Sequence, residues 1–211
     1  DQAEFDAGLR AHMLRVYNYM VCGLLLTGIL AVLVAQASVI TNNAGQIVGL
    51  TGLGQTLFGS PLKWVVMLAP LGLVFFLSAR LHKMSFGTAQ TTFWIYAGLM
   101  GISMATIFMT FTGASVARVF FITAGTFAGM SLWAYTTKKD LSGWGSFLFM
   151  GLIGIIIAMV VNIFLESSAL QFAISVIGVL VFIGLTAYDT QAIKNEYADH
   201  FDEVNQGKLA I

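Results

Sequence analysis

Long apolar runs, most of them joined by short polar connections, are the feature that most restricts what this chain can fold into. A membrane-spanning helix needs about 20 mainly apolar residues, because the hydrocarbon core of a bilayer is about 30 Å thick. Only 9% of the residues are charged, against about 25% in an average soluble domain, so most of the surface must face lipid. Six runs are predicted to span a membrane: residues 16–37, 64–79, 88–111, 116–136, 144–165 and 170–193.

These runs predict an all-α, polytopic transmembrane helix bundle, and we expect residues 1–211 to form a single domain. The long connection 38–63 is expected to lie along the membrane interface or to fold over the mouth of the bundle. Pro70 lies inside the second run, where a neighbouring helix must satisfy the carbonyl that proline leaves free. A kink is expected there. The apolar residues 207–211 suggest that a further span follows.

Positive charges predict the orientation, because cytoplasmic connections of membrane proteins carry an excess of Lys and Arg. Two basic residues, Lys63 and Arg118, fall on one side of the predicted spans. Eight fall on the other side: Arg10, Arg15, Arg80, Lys83, Lys138, Lys139, Lys194 and Lys208. The N-terminus and the C-terminal tail are therefore predicted to be cytoplasmic.

Composition and motifs argue against several classes of function. The net charge is zero, so nothing favours nucleic-acid binding. The three histidines are far apart and lack the spacing of metal ligands. No nucleophile and base are matched in depth, so we expect no enzyme activity and no tightly bound cofactor. An intramembrane enzyme is the least supported of the functions considered.

Asp189 is the most informative ionisable residue, because charged side chains within a membrane segment are costly and often functional. It lies in an apolar run near the predicted cytoplasmic end of the sixth span. A carboxylate at that depth must be hydrated, protonated or paired. Two interpretations stay open: a functional carboxylate, or an interfacial residue that caps the bundle.

Arg80 closes the second span on the same predicted side of the membrane and could pair with Asp189 as a latch between two helices. Arginine at a cytoplasmic helix end is also an ordinary positive anchor. Tyr188 and Gln191 flank Asp189 and are predicted to be its hydrogen-bond neighbours. Asn162, within the fifth span, is expected to form hydrogen bonds between helices.

Several stretches together resemble the bacterial branch of the Bax inhibitor-1 family, the transmembrane Bax inhibitor motif proteins. The most specific is Ala-Tyr-Asp-Thr-Gln-Ala-Ile-Lys at residues 187–194, preceded by Ser-Val-Ile-Gly at residues 175–178. Thr-Lys-Lys-Asp-Leu-Ser at residues 137–142 and Arg80 add to the resemblance, which extends from the first span to residue 211.

The resemblance implies a seven-helix bundle in which six helices surround a central hydrophobic one, which we expect to be the sixth. Family members are described as pH-sensitive calcium leaks, in which two aspartates near the cytoplasmic mouth share a proton. Asp189 matches the first aspartate, and Arg80 matches the arginine that pairs with it. The second aspartate belongs to a seventh span, and no residue here can be assigned to it. Calcium would be the transported ion, and Asp189 would be an oxygen ligand to it.

A second hypothesis is a regulatory or accessory membrane subunit that binds a membrane protease or another large membrane complex. The acidic segment 196–207 could serve such a role, although a solvated connector is the simpler interpretation. The resemblance and the absence of a targeting segment favour the inner membrane of a bacterium, although a mitochondrial member stays open.

Overall fold

The computed structural model describes residues 2–199, and these residues are almost entirely helical. Within them, six helical segments are long and apolar enough to cross a membrane. The helices are α1 Gln2–Ser38, α2 Gly52–Gly54, α3 Leu62–Arg80, α4 Phe86–Thr110, α5 Gly113–Thr136, α6 Gly145–Leu165 and α7 Ser168–Asp199. The predicted fold class, an all-α polytopic membrane protein, is confirmed.

Two of the helices extend well beyond the predicted spans. α1 begins at Gln2, where apolar residues are too sparse to indicate a span, but Leu9, Met13 and Val16 form a buried stripe at helical spacing. α7 continues past residue 193 to Asp199, and its last turns bury Tyr197. In both places a buried face stabilises the helix outside the apolar run. Residues 200–211, which include Lys208 and most of the acidic segment 196–207, lie outside the described part of the chain. The prediction of a further span also falls outside it.

Large apolar side chains cover the outer surface of the helices, as a lipid environment requires. Phe164, Phe172 and Phe121 expose 83%, 73% and 72% of their surface. Such exposure would be unfavourable in water, but hydrocarbon is as apolar as the side chains themselves. The helices therefore present the surface of an integral membrane protein.

Pro70 lies inside α3, and the helix continues through it. Proline has no backbone N–H, so the carbonyl of Val66, one turn earlier, has no partner within α3. The Ser103 hydroxyl of α4 donates a hydrogen bond to that carbonyl. This is the compensation by a neighbouring helix that the sequence predicts for a proline within a membrane span.

The connection between α1 and α3 contains a β-hairpin that is not predicted from the sequence. β1, Val39–Thr41, pairs antiparallel with β2, Ile47–Leu50. The Asn42 side chain accepts hydrogen bonds from the N–H groups of Ala44 and Gln46 at 3.0 and 2.9 Å, and Gly45 adopts a positive φ of 76°. These are the typical features of a tight turn.

After the hairpin, the chain folds back onto the end of α1. Thr51 donates hydrogen bonds from its N–H to Ser38 O and from its hydroxyl to Ala37 O, at 3.0 and 2.6 Å. α2 follows, and a π-helical turn, Gln55–Gly59, leads towards α3. The connection is therefore an ordered cap on the end of α1.

The described residues group into two compact units, residues 2–118 and residues 119–199. In the first unit α4 packs against both α1 and α3. The Thr27 hydroxyl of α1 donates to Ala97 O of α4 at 2.7 Å. The prediction of a single domain and of a central sixth helix stays a prediction.

In the second unit α6 packs against α7. At the turn between them, the Asn162 side chain accepts a hydrogen bond from Ser167 N at 2.9 Å and donates one to Gln171 Oε1 at 3.3 Å. Asn162 therefore connects α6 to the first turn of α7, and it also orders the reversal of the chain.

Candidate functional site

Asp189 lies on α7, about three turns before the last described residue of that helix. Its side chain is exposed, whereas the neighbouring residues Ala187, Thr190 and Gln191 are buried. Among the residues of its own unit, 119–199, it forms no hydrogen bond and no ion pair. The Asp189 carboxylate is thus held on α7 with no partner for its oxygens among residues 119–199.

Tyr188 packs against the start of α6. A Cβ atom placed on Gly145 would lie only 2.7 Å from the Tyr188 Cζ and 2.8 Å from its hydroxyl oxygen. Contacts under 3.0 Å are too short for carbon, so the small residue at position 145 makes room for the ring. Tyr188 forms no hydrogen bond to Asp189 in the structure, and its predicted role beside Asp189 stays a prediction.

Gln191 connects α7 to the loop between α5 and α6. Its amide donates to Lys139 O at 2.7 Å, and its carbonyl accepts from Leu141 N at 2.8 Å. The Gln191 side chain is buried, with 8% of its surface exposed. Buried polar groups need hydrogen-bond partners, and backbone groups of the loop supply both of them here. Gln191 thus holds the loop against α7 and forms no hydrogen bond to Asp189 in the structure. Its predicted role beside Asp189 stays a prediction.

Lys194 is held one helical turn further along α7. Its ammonium donates to Tyr135 O at 2.8 Å and lies 5.2 Å from the centroid of the Tyr135 ring. The carbonyl of Tyr135 is close to the end of α5, where cations interact favourably with the helix dipole. The ends of α5 and α7 are joined by this contact.

These interactions form a polar cleft of about 360 Å³, which we call the basic cleft. It is lined by Thr137, Lys138, Lys139, Asp140, Gln191, Lys194 and Asn195. Hydrogen bonds from the backbone N–H and the hydroxyl of Ser142 lower the pKa of the Asp140 carboxyl below its ordinary value. The 137–142 motif is recognisable in the sequence, but no local feature indicates that Gln191 contacts it.

Arg80 is the last residue of α3, in the unit formed by residues 2–118, and its side chain is exposed. A 3₁₀ turn, Leu81–Lys83, follows it. Within that unit the Arg80 side chain forms no hydrogen bond and no ion pair. Because Arg80 and Asp189 belong to separate units, their pairing stays a prediction.

Across residues 2–199, no group of three or more His, Cys, Asp or Glu side chains is close enough to hold a metal ion. Calcium takes six to eight oxygen ligands, and Asp189 supplies one carboxylate. Its role as a calcium ligand stays a prediction.

Comparison with known proteins identifies relatives along almost the whole chain. The family model described as "Inhibitor of apoptosis-promoting Bax1" matches residues 9–208. An uncharacterized protein of Rickettsia prowazekii is 48% identical over 208 residues, which cover 98% of this chain and 82% of that protein. The inner membrane protein YbhL of Escherichia coli K12 is 43% identical over 211 residues, covering 97% of this chain and 83% of YbhL. No solved structure matches the chain significantly.

Proposed function

The chain belongs to the Bax inhibitor-1 family of membrane proteins, and from this premise we propose that it is a pH-sensitive calcium leak channel, gated by a latch between Asp189 and Arg80. We place it in a bacterial inner membrane, as the name of YbhL states for that relative, with its N-terminus in the cytoplasm. Lipid surrounds it, and calcium is the ion that it transports.

The observation that carries this proposal is the environment of Asp189. Its carboxylate lies on a membrane-spanning helix and uses none of its oxygens within residues 119–199. A structural carboxylate in a membrane segment is normally paired or hydrogen-bonded, because an unpaired charge there is costly. A carboxylate without such partners in its own unit is available to a proton, to a cation from solution or to a charged side chain of another segment.

Three partners compete for that carboxylate in the proposed mechanism. The ionised form attracts both calcium and the Arg80 guanidinium, since calcium prefers carboxylate oxygens and guanidinium forms charge-assisted hydrogen bonds to them. Protonation removes both attractions. The population of the latched state and the occupancy of the ion therefore both depend on pH.

Calcium flux into liposomes that contain the full-length protein tests the proposal. We expect flux through the wild-type protein to vary with pH and Asp189→Asn to lose that dependence, because asparagine cannot titrate. Asp6→Asn is the matched control, because Asp6 is an exposed aspartate on α1 and should leave the pH profile unchanged.

Two results would overturn the proposal. A pH profile that survives in Asp189→Asn would place the sensor elsewhere. The absence of protein-dependent flux at any pH would favour the other hypothesis, a regulatory subunit, and co-purification with a membrane protease or another large membrane complex would then support it.

A further inference from the structure

We propose that the basic cleft binds the phosphate of an anionic phospholipid headgroup. This inference rests on the unit formed by residues 119–199 alone and does not depend on calcium transport. The function proposed above makes no use of the cleft, although the 137–142 motif forms one of its walls.

The charge of the cleft favours an anion. Three lysines and one aspartate line it, so three positive charges and one negative charge leave a net charge of +2. The Asp140 carboxylate is already used, since it accepts hydrogen bonds from the Ser142 N–H and hydroxyl at 3.0 and 2.7 Å. Within residues 2–199, Lys138, Lys139 and Lys194 form no ion pair with a carboxylate. Their positive charges are therefore not neutralised by the described part of the protein.

The walls of the cleft are held in place before any ligand arrives. Gln191 fixes the loop at Lys139 and Leu141 through two hydrogen bonds, and Tyr135 fixes Lys194 through its carbonyl and its ring. The Lys194 ammonium has three donors and uses one on Tyr135 O, so two remain. A site whose donors are already ordered loses less entropy on binding.

The position of the cleft favours a lipid over a free phosphate ion. The loop that lines it connects two membrane-spanning helices, α5 and α6, so it lies where headgroups lie. Trp133 and Trp144 flank the loop and are exposed, as is typical of side chains at the membrane interface. Leu132 and Phe147 expose 66% and 62% of their surface on the adjoining helical turns and offer an apolar surface to acyl chains.

Non-specific attraction of lysines to anionic lipid would give a different result from a defined binding site. Such attraction depends on the total charge, so removing any two lysines should weaken lipid binding equally. Binding at the basic cleft should instead depend on which lysines are removed. Basic pockets between membrane helices bind anionic headgroups, and a lysine near an anionic membrane surface contributes about 1 kcal/mol, which corresponds to about fivefold in affinity.

Native mass spectrometry of the full chain in detergent, titrated with phosphatidylglycerol or phosphatidylcholine, measures the preference directly. We expect the wild-type protein to retain phosphatidylglycerol on the order of 100-fold more strongly than phosphatidylcholine, since three lysines contribute about fivefold each. Lys138→Gln/Lys139→Gln should lose most of this preference, on the order of 20-fold for two lysines. Lys138→Arg/Lys139→Arg keeps the charge and should keep the preference.

Lys63→Gln/Lys83→Gln removes the same charge from the other unit and should leave the preference intact. An equal loss in this control would overturn the proposal, because total charge would then explain the binding. Equal retention of the two lipids by the wild-type protein would also overturn it. Displacement of phosphatidylglycerol by inorganic phosphate at a similar concentration would assign the cleft to free phosphate and reject the lipid.

Discussion

At the scale of single residues, one hydroxyl group makes the proline inside α3 tolerable. Pro70 leaves the Val66 carbonyl without its helical N–H, and Ser103 donates to that carbonyl from α4. No water is present in the bilayer core to replace this hydrogen bond. The contact therefore also connects α3 to α4 within residues 2–118.

Replacing Ser103 with alanine should destabilise the protein by about 1 kcal/mol, because the Val66 carbonyl then loses its donor. In a Pro70→Ala background the same change should cost much less, since residue 70 then supplies an N–H. Unfolding in mixed micelles of detergent and SDS measures both free energies. Ser175→Ala is the control, because the Ser175 hydroxyl donates to a carbonyl of its own helix. An equal cost of Ser103→Ala in both backgrounds would contradict the assignment.

Asp140 makes the loop between α5 and α6 sensitive to pH. Its pKa in the folded protein is lowered by the hydrogen bonds from the Ser142 N–H and hydroxyl. Because the pKa of Asp140 is lower in the folded state, its ionised form stabilises the fold at any pH above the unfolded-state pKa. This stabilisation is lost as the pH falls through the folded-state pKa. Lowering the pH until Asp140 of the folded protein becomes protonated should therefore increase hydrogen exchange at the Ser142 amide, after correction for the intrinsic rate. In Asp140→Asn this acid-dependent step should disappear, and its persistence would show that another group titrates.

Asp189 and Arg80 are candidates from residue type and position alone, because ionisable residues in or beside an apolar run are rare. What the sequence does not indicate is that both polar groups of Gln191 bind the backbone at Lys139 and Leu141. Gln191 is separated from those partners by 52 and 50 positions. The residues around a side chain do not indicate which distant backbone groups it will contact.

At the scale of elements, the contact between α1 and α4 depends on the absence of a side chain at Gly101. A Cβ atom there would lie 2.7 Å from the Thr27 carbonyl oxygen and 2.9 Å from the Leu30 Cβ. At Gly98, one turn earlier, a Cβ atom would lie 3.4 Å from the Leu30 Cδ1, an ordinary contact. Gly101 therefore permits the close approach of α1 to α4, whereas position 98 has room for a methyl group.

We expect Gly101→Ala to destabilise the protein by about 1–2 kcal/mol, because the gain in helix propensity is smaller than the cost of separating two backbones. Gly98→Ala should be neutral or stabilising by up to about 1 kcal/mol. Thermal unfolding in detergent compares the two variants. A Gly101→Ala protein as stable as Gly98→Ala would show that α1 and α4 do not approach so closely.

The apolar runs predicted the six long helices, because a bilayer requires both length and continuous hydrophobicity. They did not predict how far α1 and α7 extend, since buried faces rather than apolar runs continue those helices. The β-hairpin was also missed. Its strands contain only three and four residues, too short for alternation to stand out, although Asn42 and Gly45 are ordinary turn residues.

At the scale of the whole molecule, the proposed latch joins residues of two units, and a double-mutant cycle tests that coupling. Arg80→Gln should raise calcium flux at neutral pH, because ionised Asp189 then loses the guanidinium that competes with calcium. Asp189→Asn and the double variant should each lose the pH dependence of the flux. If the residues are paired, Arg80→Gln should have little further effect once Asp189 is replaced.

Lys83→Gln removes a neighbouring charge from the turn after α3 and should leave the flux unchanged. Effects of Arg80→Gln and Asp189→Asn that simply add would contradict the latch. Such a result would be compatible with Asp189 as the pH sensor and Arg80 as a positive anchor at a helix end.

The sequence by itself determined that this is an all-α membrane protein of the Bax inhibitor-1 family, because hydrophobic length and the family's sequence motifs are properties of the chain alone. Only the tertiary structure decided which groups meet: Ser103 with the Val66 carbonyl, Thr27 with Ala97, and Gln191 with the 139–141 backbone. Hydrophobicity places each helix in the bilayer but is nearly uniform around it. Close packing and the hydrogen-bonding needs of buried polar groups select the partners. Both depend on the folded chain as a whole.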